Sequence, residues 1–340
     1  MRLHTAAGRW FGLLIPAFAV SGALADVNLY TTREPGLVEP LIDAFTAETG
    51  IAVNTVFVQT GLAERVAAEG RNSPADVLMT VDVGVLVDLV GAGVTQPIHS
   101  DVLEAAIPET MRDPDGNWFT LSMRARVLYV SADRVDLEAL TYEELADPRW
   151  KGRVCIRSGQ HPYNTALIAA YIAKHGAAEA DTWLAALKDN LGRRPGGGDR
   201  DVARDILGGL CDIGIGNSYY VGLMRSGAGG PEQERWSAAI DVILPTFDDG
   251  GTHVNVSGAA IAKFAPNRDD ALRFLEFLVS DQGQQLYAHA NFEYPVKLGV
   301  FADPIITSLG ELFPDDTPLA EIAANRKAAS ELVDKVGFDN

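Results

Sequence analysis

The chain has 340 residues, 47% of them hydrophobic and 22% charged, with a formal net charge of −18. That length suggests two lobes rather than a single core. The acidity, with no basic block anywhere, speaks against nucleic acid or an anionic membrane surface as a partner.

Residues 1–25 read as a secretory signal peptide. Arg2 and Arg9 charge its start, an apolar stretch runs from Trp10 to Val20, and Ala23-Leu24-Ala25 offers a peptidase site before Asp26. The apolar stretch is short for a membrane span, and no later segment is long and apolar enough to cross one. The mature chain, 26–340, is therefore expected to be exported and soluble, with no membrane insertion. Without Arg2 and Arg9 its formal charge becomes −20. Solubility is the ordinary use of such acidity, and a weak attraction for cations is the other.

From Val27 onward the pattern alternates strand and helix. Residues 27–30 predict a strand and 35–49 a helix, with Pro35 in its first turn and Gly50 as its stop. A β-branched strand over 51–58 follows, then a helix over 61–69, a strand over 76–80 and a helix over 83–92. This βαβαβα run predicts a mainly parallel sheet flanked by helices. A long apolar run ends in Val127-Leu128-Tyr129-Val130. Beyond it a second α/β unit has strands at 154–156 and 212–215 and helices at 164–175, 178–187 and 201–207. Residues 241–244 and 252–259 read as extended, and 269–280 as a helix.

Two crossings, near 125 and near 247, predict two hinged lobes. The first is 26–124 plus 247–297 and the second 125–246 plus 298–340, with a ligand cleft between them. The cysteines, Cys155 and Cys211, both lie in apolar strand-like runs. In an oxidising compartment a disulfide joining neighbouring strands is one reading, and two buried thiols the other.

Chemistry concentrates at the junctions. Gly216-Asn217-Ser218-Tyr219-Tyr220 runs from a strand into a short helix that Asn217 or Ser218 is placed to cap. At a helix start both rings can lean into one cleft, and the positive helix end favours their ionised form. Tyr163 occupies a similar junction after Arg157. Three phenolates would neutralise Fe³⁺, a hard cation that prefers oxygen donors; buried packing is the plainer reading of each ring. Arg33 can hold a planar oxyanion. Glu34 reads either as a carboxylate ligand to iron or as a hydrogen-bonding neighbour. Arg124 and Arg126 share one strand face, looking into the cleft or forming inter-lobe salt bridges. His253 reads as structurally hydrogen-bonded and Asp82 as an exposed cap. No G-x-S-x-G, P-loop, H-E-x-x-H, zinc spacing or catalytic carboxylate pair is present, so no catalysis is expected.

Several segments together carry a resemblance. They are Asn28-Leu29-Tyr30-Thr31-Thr32-Arg33, Ser73-Pro74-Ala75-Asp76-Val77-Leu78, Arg124-Ala125-Arg126-Val127, 145–152, 216–220 and Asn291-Phe292-Glu293-Tyr294-Pro295-Val296. Over essentially the whole of 26–340 the chain resembles the periplasmic ferric-ion-binding proteins of ABC-type iron uptake systems, the bacterial transferrins. The resemblance implies a type II-like α/β periplasmic binding fold and a monomer that delivers Fe³⁺ to an inner-membrane ABC permease. It implies Tyr163, Tyr219 and Tyr220 as iron ligands, and a carbonate-like synergistic anion held by Arg33 and by Arg124 or Arg126. The residue after the first arginine is often glutamine in such proteins; here it is Glu34, followed by Pro35. A small-organic-anion binder, with the tyrosines stacking, is the alternative, and an exported enzyme using the cleft a further one.

Overall fold

The computed structural model describes residues 26–340, so the leader expected over 1–25 lies outside the described residues. Ten strands are described: β1 (Val27–Thr31), β2 (Val53–Phe57), β3 (Val77–Thr80), β4 (Thr95–Gln96), β5 (Phe119–Ser131), β6 (Val154–Cys155), β7 (Ile213–Asn217), β8 (Ile240–Ile243), β9 (Val254–Ala262) and β10 (Tyr294–Pro295). The main path is β2-β1-β3-β9-β5-β7-β6, with β4, β8 and β10 beside it. β1 pairs in parallel with β2 and β3, as the βαβαβα run predicts. β9 then runs antiparallel to both β3 and β5. It returns from far along the chain, so no helical crossover has to impose a parallel direction.

β5 organises the molecule. All 13 of its residues are buried, because both its faces are covered. Its first half, up to Ala125 opposite Val254, pairs with β9. From Arg126, opposite Asn217, it pairs with β7, and from Leu128 also with β8. The chain thus changes sheet partners between two consecutive residues, and Arg126 N–H donates to the His253 carbonyl at 3.0 Å across this switch.

The helix expected over 35–49 is divided into a 3₁₀ turn, Pro35–Leu37, and an α-helix, Glu39–Thr49. Pro40 has no N–H to continue an α-helical ladder from the preceding turn, so the helix starts afresh with proline in its first turn. Among the helices beyond the sequence pattern, Asp281–Asn291, Leu319–Ala324 and Arg326–Val336 complete the packing. The last of them leads to Asp339, whose carboxylate accepts from Gly159 N–H at 2.7 Å and Ser158 Oγ at 2.6 Å. That fastens the C-terminus to the loop leading into the helix Pro162–His175. Among the described residues no helix is long and apolar enough to cross a membrane.

Cys155 and Cys211 form a disulfide with a Cα–Cα distance of 5.8 Å. The parallel pairing of β6 with β7 sets Cys155 opposite Gly214, and Cys211 lies just ahead of β7. The bond closes a loop with a sequence separation of 56. Its removal should lower the free energy of unfolding by up to about 4 kcal/mol through the entropy of the unfolded chain. Urea unfolding with and without reductant measures this, and coincident curves would show that the bond adds nothing.

Candidate metal centre

Two strand-to-helix junctions carry the tyrosines. β7 ends at Asn217 and the helix Ser218–Arg225 begins at once, so Tyr219 and Tyr220 fall in its first turn. Tyr163 is in the first turn of Pro162–His175, where His161 Nδ1 accepts from Tyr163 N–H at 3.3 Å. Burial, then Arg157, holds the His161 pKa down to about 4. The hydroxyls of Tyr163 and Tyr219 are 3.2 Å apart. The Tyr219 and Tyr220 rings lie 4.1 Å apart between centroids.

Burial pushes the Tyr219 phenol well above its ordinary range, and the neighbouring phenols of Tyr163 and Tyr220 push it further against the opposing pull of Arg124. Tyr220 is raised as well, first by burial and then by Tyr163. Phenols so arranged resist joint ionisation until a cation of high charge arrives. Among the described residues no group of three His, Cys, Asp or Glu side chains is placed to hold a metal.

The expected helix cap is not made at Asn217 or Ser218. Asn217 has the N-cap position, but its side chain makes no capping bond. Its Oδ1 instead accepts from Arg126 Nη1 at 3.0 Å, while Ser218 Oγ accepts from Ala125 N–H at 3.2 Å. Both side chains turn sideways onto β5. Arg126 has a fuller role than its sequence position suggests. Its guanidinium pairs with Asp199 at 2.6 Å, with both side chains buried, and also donates to Asn164 Oδ1 at 2.5 Å. Asp199 Oδ2 accepts from Asn217 N–H at 2.9 Å, and Asp199 Oδ1 from Arg157 at 3.3 Å. One buried ion pair thus ties the residue after Tyr163 to the residue two before Tyr219.

Arg33, Glu34, Arg124, Tyr163 and Tyr219 share a cavity of about 240 Å³, which Asn291 also lines. Glu34 is exposed at its edge. Arg126 and Tyr220 are not in its lining: Arg126 lies beneath the Tyr163 ring, 6.0 Å from its centroid, and Arg200 lies 5.5 Å from that of Tyr220. Arg33 and Arg124 converge on a residue that sequence reasoning did not single out. Glu293 Oε1 accepts from Arg33 Nη2 at 2.8 Å and lies 3.8 Å from Arg124 Nη1. Ser122 and Ser257 donate to its other oxygen. Burial raises the Glu293 pKa, but Arg33 and then Arg124 outweigh it and hold the carboxyl below its ordinary value. Asp199 was missed too. Glu293 had one local sign, its place in the Asn291–Val296 segment of the resemblance.

Two subsidiary expectations change. His253 is buried and neither ring nitrogen has a hydrogen-bond partner. Burial, then Arg126 and Arg124, holds its pKa down to about 3, so the ring stays neutral. Asp82 does cap its helix, accepting from Gly84 N–H at 2.9 Å, but it is buried and also accepts from Asn255 Nδ2 at 2.8 Å. β9 passes close enough to cover it.

A two-sheet α/β frame with a polar cleft beside β5 is the architecture of a solute-binding protein. The chain belongs to the bacterial extracellular solute-binding protein family, whose profile matches residues 72–307. It is 39% identical over 325 residues to iron uptake protein A1 of Synechocystis sp., covering 95% of this chain and 90% of that protein. Among solved structures it is similar to the Bordetella ferric binding protein, with 59% identity, a TM-score of 0.89 and coverage of 93% and 100% of the two chains. A Trichodesmium protein solved in complex with iron and citrate ligands is 38% identical, with a TM-score of 0.87 and coverage of 92% and 99%. The relatives are named for binding or uptake, and none for a reaction.

Loss of the buried pair has a calculable sign. Arg126→Gln leaves Asp199 buried with the Asn217 N–H bond and, of its two cations, only the more distant Arg157, and should cost about 3 kcal/mol. Adding Asp199→Asn removes the stranded charge and should recover much of that loss. Urea midpoints of the single and double variants test the claim; an unchanged midpoint for Arg126→Gln contradicts it.

Proposed function

We propose that the chain captures ferric iron with Tyr163, Tyr219 and Tyr220 and delivers it to an inner-membrane ABC permease. The observation that carries this reading is the meeting of three phenols from two helix starts, with two hydroxyls 3.2 Å apart, beside a cavity lined by Arg33 and Arg124. The iron-related names of relatives that span nearly the whole chain support it. The leader over 1–25 exports the chain to the periplasm, where it works as a monomer. Its lobes are 26–124 plus 247–297 and 125–246 plus 298–340; the change of β5 partners after Ala125 supports a boundary there. Iron joins phenolates of the second lobe to the arginine wall of the first, so binding shifts an open–closed equilibrium.

A small synergistic anion, carbonate or a related oxyanion, shares the iron shell beside Arg33 and Arg124. The citrate bound with iron in the Trichodesmium relative supports room for such a partner. Arg126, whose Nη groups are bound to Asp199, Asn164 and Asn217, supports the tyrosines instead of meeting the anion. Glu34, exposed at the cavity edge, closes onto the iron or the anion from the solvent side.

The loaded protein should be coloured, because phenolate-to-iron charge transfer absorbs visible light, whereas an organic-anion binder would stay colourless. Tyr219→Phe and Tyr163→Phe should each weaken iron binding by more than the roughly 10–100-fold typical of losing an outer-shell partner. Both should fold normally, since little apolar area changes. Competition against a ferric chelator, followed by absorbance, measures it; wild-type affinity in both variants would remove the site.

Acid should release the iron. The phenols of Tyr219 and Tyr220 are pushed upward in the unloaded protein, so their protons must leave when iron binds. Affinity should rise with pH and fall by up to about tenfold per unit of pH for each proton displaced. Iron release followed alongside circular dichroism should therefore precede acid unfolding. Coincidence of the two transitions would count against tyrosinate ligation.

A further inference from the structure

Two of the helical glycines have no positive φ, yet neither has room for a side chain. Gly222 lies inside the helix Ser218–Arg225 that presents Tyr219 and Tyr220, and a Cβ added there would collide with Cβ and Cγ of Phe292. Gly84 lies in the first turn of the helix Val83–Gly91, and a Cβ there would collide with the guanidinium of Arg326. Alanine favours a helix interior more than glycine does, so the reason for glycine at 222 is the residue opposite it. Each contact joins the two lobes. Phe292 and Gly84 belong to the first, Gly222 and Arg326 to the second.

The two contacts differ in stiffness. Arg326 reaches Gly84 with the end of a long, partly exposed side chain, 3.4 Å from Asp88, and can swing aside. Phe292 meets Gly222 with atoms next to its own backbone, which move only when the backbone moves. That backbone is held. Phe292 has φ 55°, the one non-glycine residue with positive φ among the described residues. Such conformations persist only where the surroundings over-determine them, and they gather at functional sites. Asn291 before it and Glu293 after it both accept from Arg33, at 3.0 and 2.8 Å. Tyr294 and Pro295 then pair with Met123 and Ser122 of β5. Phe292 is thus a fixed point of the arginine wall, pressed against the tyrosine helix one turn beyond Tyr219.

We propose that Phe292 is a positioning residue: seated in the gap at Gly222, it sets how far the lobes close and so the separation of the tyrosine oxygens from the Arg33–Arg124 wall. The inference rests on the ferric-iron reading and the lobe division above. With the lobes apart the gap at Gly222 is empty, and a methyl group there meets nothing from the other lobe. With the lobes closed it meets Phe292. Iron shifts the equilibrium towards closure, so a methyl group at 222 should weaken iron binding without weakening the unloaded fold.

Gly222→Ala, Phe292→Gly and the double variant test this. Phe292→Gly removes the colliding atoms and keeps the positive φ accessible. Iron affinity is read from visible absorbance, with ferric citrate as the source and a ferric chelator as competitor; unloaded stability is read from urea unfolding. Gly222→Ala should weaken iron binding by about tenfold or more, the scale of forcing a methyl group into a packed contact. In the Phe292→Gly background the same change should alter affinity by about twofold or less. Unloaded Gly222→Ala should unfold at the wild-type urea concentration or above. Wild-type affinity in Gly222→Ala overturns the proposal, and so does an equal loss in both backgrounds. A Gly222→Ala protein that is destabilised without iron overturns it too, because the contact would then belong to the fold and not to closure. If Phe292→Gly does not fold, the two readings on Gly222→Ala, affinity lost and unloaded stability kept, decide alone. A wild type that stays colourless with ferric citrate removes the ferric-iron reading and this proposal with it, whereas a coloured wild type with an unaffected Gly222→Ala removes this proposal only.

Discussion

The Arg126–Asp199 pair is buried at both ends, with a contact of 2.6 Å, and the geometry of the tyrosines depends on it. Isolating either charge in the interior is expensive, so each member is committed to the other and to further donors and acceptors. Asn164 and Asn217 also accept from the arginine, and the backbone of Asn217 and Arg157 also donate to the aspartate. Tyr163 follows one junction held by this network and Tyr219 the other. Side chains on two helices are thereby brought together, and the hydroxyls of Tyr163 and Tyr219 meet at 3.2 Å.

Charge in the cleft is organised before any ligand enters. The phenols of Tyr219 and Tyr220 are driven towards their neutral form by burial and by neighbouring phenols. Its arginines are charged, and each has a buried carboxylate close at hand. Paired charges of both signs thus line the cleft of a protein whose net formal charge is −18. That combination suits a highly charged cation only if the phenols surrender protons, and it leaves the arginines to an anion. Both demands come from the same low-dielectric setting, which strengthens attraction and repulsion alike.

β5 explains why two arginines one residue apart serve different networks. Alternation puts Arg124 and Arg126 on the same face of the strand. Between them the strand exchanges β9 for β7. Arg124 consequently meets Ser257 and the neighbourhood of Glu293, whereas Arg126 meets Asp199 and Asn217. The same exchange leaves the His253 ring neutral and unpartnered beside the crossing.

The amino-acid sequence alone determined the strand–helix alternation, the tyrosines at helix starts and the two cysteines that became a disulfide. Each of these is written over a few neighbouring residues, in β-branched runs, in glycine and proline stops, and in aromatic residues just after a turn. Only the tertiary structure decided that Asn217 would bond Arg126 rather than cap its own helix. It also decided that Asp82 would be buried and that Glu293 would stand between Arg33 and Arg124. Arg33 and Glu293 are 260 residues apart in the chain. Nothing local records such a pair, because a long-range ion pair is selected by burial and by the charge it must neutralise, and both exist only once the chain has folded.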